Sequence, residues 1–224
     1  KLDIVSPGVS IPDTMQPQDS IQAFKQQHGL VGKKILLSVG RLTTRKGLRE
    51  FVENSLPTIV QSVPEAVLVV VGEAPKNSLG ASIQTIDSIQ QSDTLHNVAA
   101  NILFLGVIID PQQLAIVYEA ADIHVFPVRY IPDDPEGFGM VAVDAAAHGT
   151  PTVAFATGGV VDAVAEGVSG YLVEKNNYSQ LSKQVITLLA NPLPKENIQD
   201  FVRQFEWVSF GCKLCCLTIL NDQD

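Results

Sequence analysis

The feature that most limits what this chain can fold into is a recurrence of short, nearly continuous apolar runs rich in β-branched residues. They fall at 35–39, 67–71, 102–105, 123–126, 152–155 and 171–173. A strand apolar on both faces must be covered on both faces, which a parallel sheet between two helical layers provides. Helix-period patterns separate the runs at about 20–28, 47–63, 79–98, 111–121, 138–148, 160–166 and 179–190. This alternation predicts an α/β fold: a doubly wound, Rossmann-like parallel sheet of about six strands, with helices on both faces and right-handed crossovers.

At 224 residues and 46% hydrophobic content, one large domain with a sizeable core is expected. The formal charge of −9 argues against a nucleic-acid partner, which calls for a broad basic surface. The longest clean apolar run, AVLVVVG at 66–72, suits a buried strand and is far short of a membrane span. With no signal-peptide pattern, the expectation is a cytoplasmic chain. Residues 1–19 are rich in proline and turn formers and read as a linker remnant, 20–192 as the domain, and 193–224 as a helical tail. Beginning at Lys1, the chain reads as a piece of a longer polypeptide. Cys212, Cys215 and Cys216 lack a fourth metal ligand and read as ordinary thiols of a terminal helix.

Ligands of such sheets sit beyond the carboxyl ends of the strands, which directs attention to five loops. They read GRLTTRKG, GEAPKN, GVIID, PVRYIPDDPEGFG and ATGGV, with Gly40, Gly72 and Gly106 at the first three strand exits. Glycine there lets a ligand or a second backbone approach closely. The first loop holds Arg41, Arg45, Lys46 and Arg49, four of fifteen basic residues, within nine positions and without an acid. Leading into a helix N-terminus, it is either a candidate anion site or a solvated helical turn. It matches neither the P-loop nor the dinucleotide fingerprint.

The stretch EGFGMVAVDAAAHG at 136–149 carries two acids around a glycine-spaced opening. With Glu136 in a loop and a helix from 138, the amides of Gly137, Phe138, Gly139 and Met140 face the strand ends. Asp144 is expected on the helical face of Gly137 and Met140, able to accept from vicinal hydroxyls or to pair with a nearby base. Asp133 and Asp134 lie beside prolines and read as a polar loop rather than metal ligands.

Seven ordered segments resemble the donor half of the retaining, family-four glycosyltransferases, whose GT-B architecture faces two Rossmann-like domains. They are SPGVSIP, VGRLTTRKG, VLVVVGEAP, ILFLGVI, YEAADIHVFP, EGFGMVAVDAAAHGTPTVA and GGVVDAVAEGVSGYLV, which together cover most of the chain. The resemblance implies that Arg41 and Lys46 bind the diphosphate of a GDP-, UDP- or ADP-linked sugar and stabilise the leaving nucleoside diphosphate. It implies that Glu136 faces the donor sugar, that the amides of Gly137–Met140, with Val141, contact sugar and distal phosphate, and that Asp144 bonds the ribose. Gly40 and Gly72 would border the donor, and Gly106, Val107 and Ile108 would offer backbone groups to the base. No metal and no cofactor is implied, the nucleotide-sugar being a substrate.

The resemblance also implies hexosyl transfer, with mannosyl or glucosyl favoured, to an acceptor sugar or lipid-linked glycan bound by an absent N-terminal domain. Bacterial envelope polysaccharide synthesis, peripheral to the inner membrane face, is the implied setting. Two departures stand out: Asp144 replaces the usual glutamate, one methylene longer, and His148 occupies a position that is usually small, where it is expected to interact with the helix dipole. A non-catalytic nucleotide-sugar-binding or assembly module and a nucleotide-sugar epimerase of the same architecture are the alternatives.

Overall fold

The expected alternation folds into a six-stranded, wholly parallel sheet in a computed structural model that describes residues 6–75 and 83–221. The strands are β1 (Lys34–Val39), β2 (Ala66–Val71), β3 (Ile102–Gly106), β4 (Ile123–Phe126), β5 (Thr152–Phe155) and β6 (Gly170–Val173). Their order is β3-β2-β1-β4-β5-β6, and every pairing is parallel. From β1 the chain builds outward to β3, then returns to lay β4 on the other flank of β1. Loops leaving β1 and β4 therefore diverge in opposite directions and open a crevice at their carboxyl ends.

The helices are α1 (Gln18–Gln27), α2 (Leu48–Asn54), α3 (Leu56–Ser62), α4 (Ile86–Leu95), α5 (Pro111–Ala120), α6 (Met140–Ala147), α7 (Val160–Ala163), α8 (Tyr178–Ala190), α9 (Lys195–Val202) and α10 (Trp207–Asn221). Alternate strand residues point to opposite layers, as a two-residue period requires. Leu36, Leu68, Val70, Ile123, Val125, Val153 and Phe155 pack with Phe51, Leu56, Ile89 and Leu181 of α2, α3, α4 and α8. Ile35, Leu37, Val67 and Val69 pack with Ile21 of α1 and Val117 and Tyr118 of α5. Phe126 and Ala154 meet Ala142, Val143, Val160 and Ile198 of α6, α7 and α9. Among the described residues no helix is long and apolar enough to cross a membrane.

At two strand exits the backbone itself is packed. The amide of Gly40 donates to Val71 O at 3.0 Å, and that of Gly72 donates to Gly106 O at 2.7 Å. A Cβ on Gly72, at φ 132°, would lie 2.0 Å from Gly40 O. Gly47, at φ 66°, ends the basic loop, and a Cβ there would lie 2.1 Å from Pro127 O. That contact brings the loop after β1 against the exit of β4.

Several expected boundaries shift for physical reasons. The single helix expected over 47–63 is two, broken at Ser55, because Pro57 has no N–H for the helix and its ring opposes the preceding turn. The expected helix at 138–148 begins only at Met140, since Gly139 takes a left-handed conformation at the N-cap. The start of the expected 79–98 helix, at 79–82, lies outside the described residues, as do 1–5 of the linker segment; α4 itself spans Ile86–Leu95. The pattern at 160–166 yields only the four residues of α7. The apolar tail expected as one helix is α9, a 3-10 turn at Arg203–Phe205 and α10. Its first part packs into the domain: Ile198, Val202 and Phe205 are buried with Val9, whose amide donates to Phe205 O at 2.7 Å.

Candidate functional site

The basic loop leaves β1 through Gly40, makes a 3-10 turn over Thr44–Lys46 and enters α2 through Gly47. This turn swings Lys46 inward while Arg41 stays exposed. The Lys46 ammonium lies 4.7 Å from the centroid of the Phe126 ring and 3.0 Å from Glu136 Oε2, with Oε1 at 3.2 Å. Burial lowers its pKa, and the Glu136 carboxylate opposes that shift. The Arg41 guanidinium forms no hydrogen bond or ion pair with the described residues, although the Arg41 carbonyl accepts from the Thr43 amide at 3.0 Å. It lines, with Lys46, Gly40 and Phe126, a small recess at the end of β1.

On the other side of Arg41 opens a cleft of about 330 Å³ at the ends of β1, β2 and β3, lined by Gly40, Gly72, Val107, Ile108 and Leu114. Across the crevice the 127–139 loop presents Glu136, whose side chain is 11% exposed. The amides of Gly137, Phe138, Gly139, Met140 and Val141 find no acceptor among the described residues, the expected state of donors at a helix start. A cationic pair, a row of unsatisfied N–H groups and an apolar cleft thus converge at the sheet's switch point. They suit an elongated anion with a flat apolar end.

A larger cavity, about 540 Å³, lies between α1 and α5, lined by Phe24, His28 and Ile116 among others. It contains neither lysine nor arginine, so it lacks the charge an anion needs.

The sequence matches the family described as glycosyl transferases group 1 over residues 20–205. The chain belongs to this family. It is 33% identical over 192 residues to a D-inositol 3-phosphate glycosyltransferase of Segniliparus rotundus, a match covering 86% of this chain and 40% of that protein. It is 27% identical over 193 residues to a GDP-mannose-dependent alpha-(1-6)-phosphatidylinositol monomannoside mannosyltransferase of Mycolicibacterium smegmatis, covering 85% of this chain and 48% of the relative. The chain thus spans about half the length of the curated relatives it matches. In fold it is similar to Anabaena HepE, solved in complex with UDP, with a TM-score of 0.81 at 23% identity over 96% of this chain and 57% of that one.

With the glycosyl transferases group 1 family established, the residues singled out from sequence divide into two sets. Gly40, Arg41 and Lys46 gather around β1, Gly72, Gly106, Val107 and Ile108 around β2 and β3, and Glu136 through Val141 face them from the β4 side. Asp144 stands apart. Gly137 precedes the helix, so Asp144 shares a helical face with Met140 and not with Gly137, which corrects the expected register. It lines neither the recess nor the cleft. Half-buried, its carboxylate has no hydrogen bond or ion pair among the described residues, and burial pushes its pKa up to about 6.

His148 is the C-cap of α6, but its ring does not simply face the helix dipole. Its Nδ1 lies 3.1 Å from Oε1 of the buried Glu119, and the ring stacks on Tyr118 at 5.4 Å. Glu119 Oε2 in turn accepts from the amide of Gln16 at 2.8 Å. The pairing accounts for a histidine at a position expected to be small.

Sequence reasoning missed three participants. Arg45 is held by Asp134, Phe126 lies under Lys46, and Arg129 pairs with Glu50 of α2. Only the density of charge in TTRKG and PDDPEG hinted at the first.

Proposed function

We propose that this chain binds the donor, a nucleotide-diphospho-sugar, and that the full-length gene product transfers its hexosyl group. The observation that carries this reading is the meeting of Arg41, Lys46 and the unsatisfied amides after Glu136 at the switch point of the sheet. Arg41 and Lys46 take the diphosphate, whose charge grows as the bond from the sugar C1 to the phosphate oxygen breaks. The base lies in the cleft beside Gly106, Val107 and Ile108, between Gly40 and Gly72. The amides of Gly137 to Val141 hold the distal phosphate and sugar, and Glu136 accepts from the sugar hydroxyls. Asp144 accepts from the ribose.

Transfer is proposed to retain configuration by a same-face route: the acceptor oxygen bonds to C1 as its proton passes to the departing phosphate oxygen. Arg41 and Lys46 supply the positive charge that a divalent ion would otherwise bring, so neither metal nor cofactor is required of this chain. A mannosyl donor is supported by the GDP-mannose dependence in the name of the M. smegmatis relative and a glucosyl donor by the UDP-glucose complex of HepE, which together leave the base open. The acceptor, a sugar or lipid-linked glycan of envelope polysaccharide, falls to the rest of the gene product. This reading puts the reaction in the cytoplasm, where nucleotide sugars are available.

Calorimetry of the full-length gene product against UDP-glucose, GDP-mannose and ADP-glucose tests the reading. Binding of at least one, lost when Arg41 and Lys46 are both changed to Ala, is the expected result. Absence of heat with all three overturns it.

A further inference from the structure

The basic loop brings a third cation to the site, Arg45, to which the proposed chemistry gives no task. Its side chain is 16% exposed and reaches across the crevice. Nη1 donates to Asp134 Oδ1 at 2.6 Å and to Pro135 O at 3.1 Å, and Arg45 O accepts from the amide of Arg129 at 2.8 Å. The loop after β1 is thereby fastened to both ends of the 129–135 segment. The remaining contact is of a different kind. Arg45 Nε lies 3.2 Å from Glu136 Oε2, yet both atoms are buried and neither completes a hydrogen bond with a described residue.

That near-contact matters because Lys46 has two claims on it. Its ammonium lies within 3.2 Å of both oxygens of Glu136. A diphosphate, with more charge, draws the ammonium away. The carboxylate would then be left buried without its cation, which is costly, or would rotate out toward water and lose its aim. We propose that Arg45 is a positioning residue that takes over Glu136 when Lys46 turns to the diphosphate. Its guanidinium is already anchored through Nη1, so a small rotation of the carboxylate aligns Oε2 with Nε–H and completes a charge-assisted bond. Asp134 and Pro135 O fix the guanidinium plane for that exchange. The inference rests on the donor-site reading above.

The test uses the full-length gene product with Arg45→Gln, Asp134→Asn and the double variant. Nucleoside diphosphate affinity is measured with UDP, GDP and ADP, and turnover as release of nucleoside diphosphate from UDP-glucose, GDP-mannose and ADP-glucose. Arg45→Gln is expected to move the Kd for nucleoside diphosphate by less than about threefold and to lower kcat by about 10- to 100-fold. Asp134→Asn, at a side chain 42% exposed and so safe for folding, is expected to lower kcat by about three- to tenfold. The double variant should be no worse than Arg45→Gln alone, because Asp134 acts through Arg45. Arg45→Lys should not restore turnover, because its donors all sit on one nitrogen and cannot span Asp134 and Glu136 as the separate Nη1 and Nε of the planar guanidinium do. Unchanged kcat in Arg45→Gln, equal loss in Kd and kcat, or multiplicative loss in the double variant overturns the proposal while leaving the donor site standing. A wild-type protein that binds none of UDP, GDP and ADP overturns the donor site itself.

Discussion

Lys46 and Glu136 form a largely buried ion pair, Nζ 3.0 Å from Oε2, with the Phe126 ring 4.7 Å from the same ammonium. The cation needed for an anionic ligand is thus occupied by a carboxylate of its own chain. A ligand phosphate must compete with Glu136 before it gains Lys46. Glu136→Gln is therefore expected to tighten UDP or GDP by about three- to tenfold, because a neutral amide competes less well than a carboxylate, and to lower donor turnover at least about tenfold. Lys46→Ala should weaken the same nucleotides by about ten- to a hundredfold. Calorimetry and a nucleotide-release assay read the two effects separately. Tighter binding with unimpaired turnover would show that Glu136 does not face the sugar.

Glycines at the site divide into those the fold requires and those it does not. A Cβ at Gly72 would meet Gly40 O at 2.0 Å, whereas one at Gly137 meets nothing within 4 Å. Gly72→Ala must part the ends of β1 and β2 and should cost about 2–4 kcal/mol, seen as a lowered urea midpoint. Gly137→Ala should change stability by less than about 0.5 kcal/mol, yet crowd the row of amides and weaken donor binding. Equal stability losses in the two variants would contradict this division.

His124 gives the fold an acid limit. Its ring is fully buried on β4, Nδ1 lies 3.1 Å from Thr152 Oγ1, and Nε2 has no described partner. Burial pulls its pKa down to about 3, and the charge of Lys46 adds to the shift. Below about 6.5 the unfolded chain takes up a proton that the folded chain refuses until near 3. The stability is therefore complete above about 6.5 and declines as pH falls through that window. Replacing His124 with Phe should remove about 1.4 kcal/mol per pH unit from the slope of unfolding free energy between pH 6 and 5. An unchanged slope would mean that the buried ring titrates normally.

The sheet was legible because each strand is its own signal: β2, β4 and β5 are buried along their whole length, which calls for nearly continuous apolar runs, broken here only by the paired His124 and Thr152. Helix ends were less legible, since Pro57 and Gly139 act locally against otherwise helical patterns. At the site, Arg41, Lys46 and Glu136 were visible as strand-end residues, but their pairing was not. Lys46 and Glu136 are 90 residues apart, and Arg45 and Asp134 are 89 apart. Contacts of that range depend on how β4 returns beside β1, which no local pattern encodes. Gly137 was put on the helical face of Met140 and Asp144 for the opposite reason: a correct helical period was started two residues too early.

Asp144 is the residue on which stability and function should pull apart. Burial raises its pKa to about 6, above the ordinary value of 3.8. Below about 3.8 both folded and unfolded chains hold the proton and no difference arises. Between about 3.8 and 6 the unfolded chain releases it first, so stability falls as pH rises through this window and stays lowered above it. Asp144→Asn should then stabilise the protein by about 1–2 kcal/mol at pH 7.5 and by nothing near pH 3.5, a difference that thermal unfolding at the two pH values reads. If the carboxylate accepts from the ribose, a bound nucleotide favours its charged form. Wild-type affinity for UDP or GDP should therefore rise from pH 4.5 to 6.5 more steeply than affinity for the 2′-deoxy nucleotide, whose rise reports only the terminal phosphate losing its proton. The Asn variant should show only the shallower, phosphate-driven rise with both nucleotides and no preference for the ribose hydroxyl. A wild type as indifferent as the variant would remove Asp144 from the donor site and leave its half-buried charge as a cost to the fold alone.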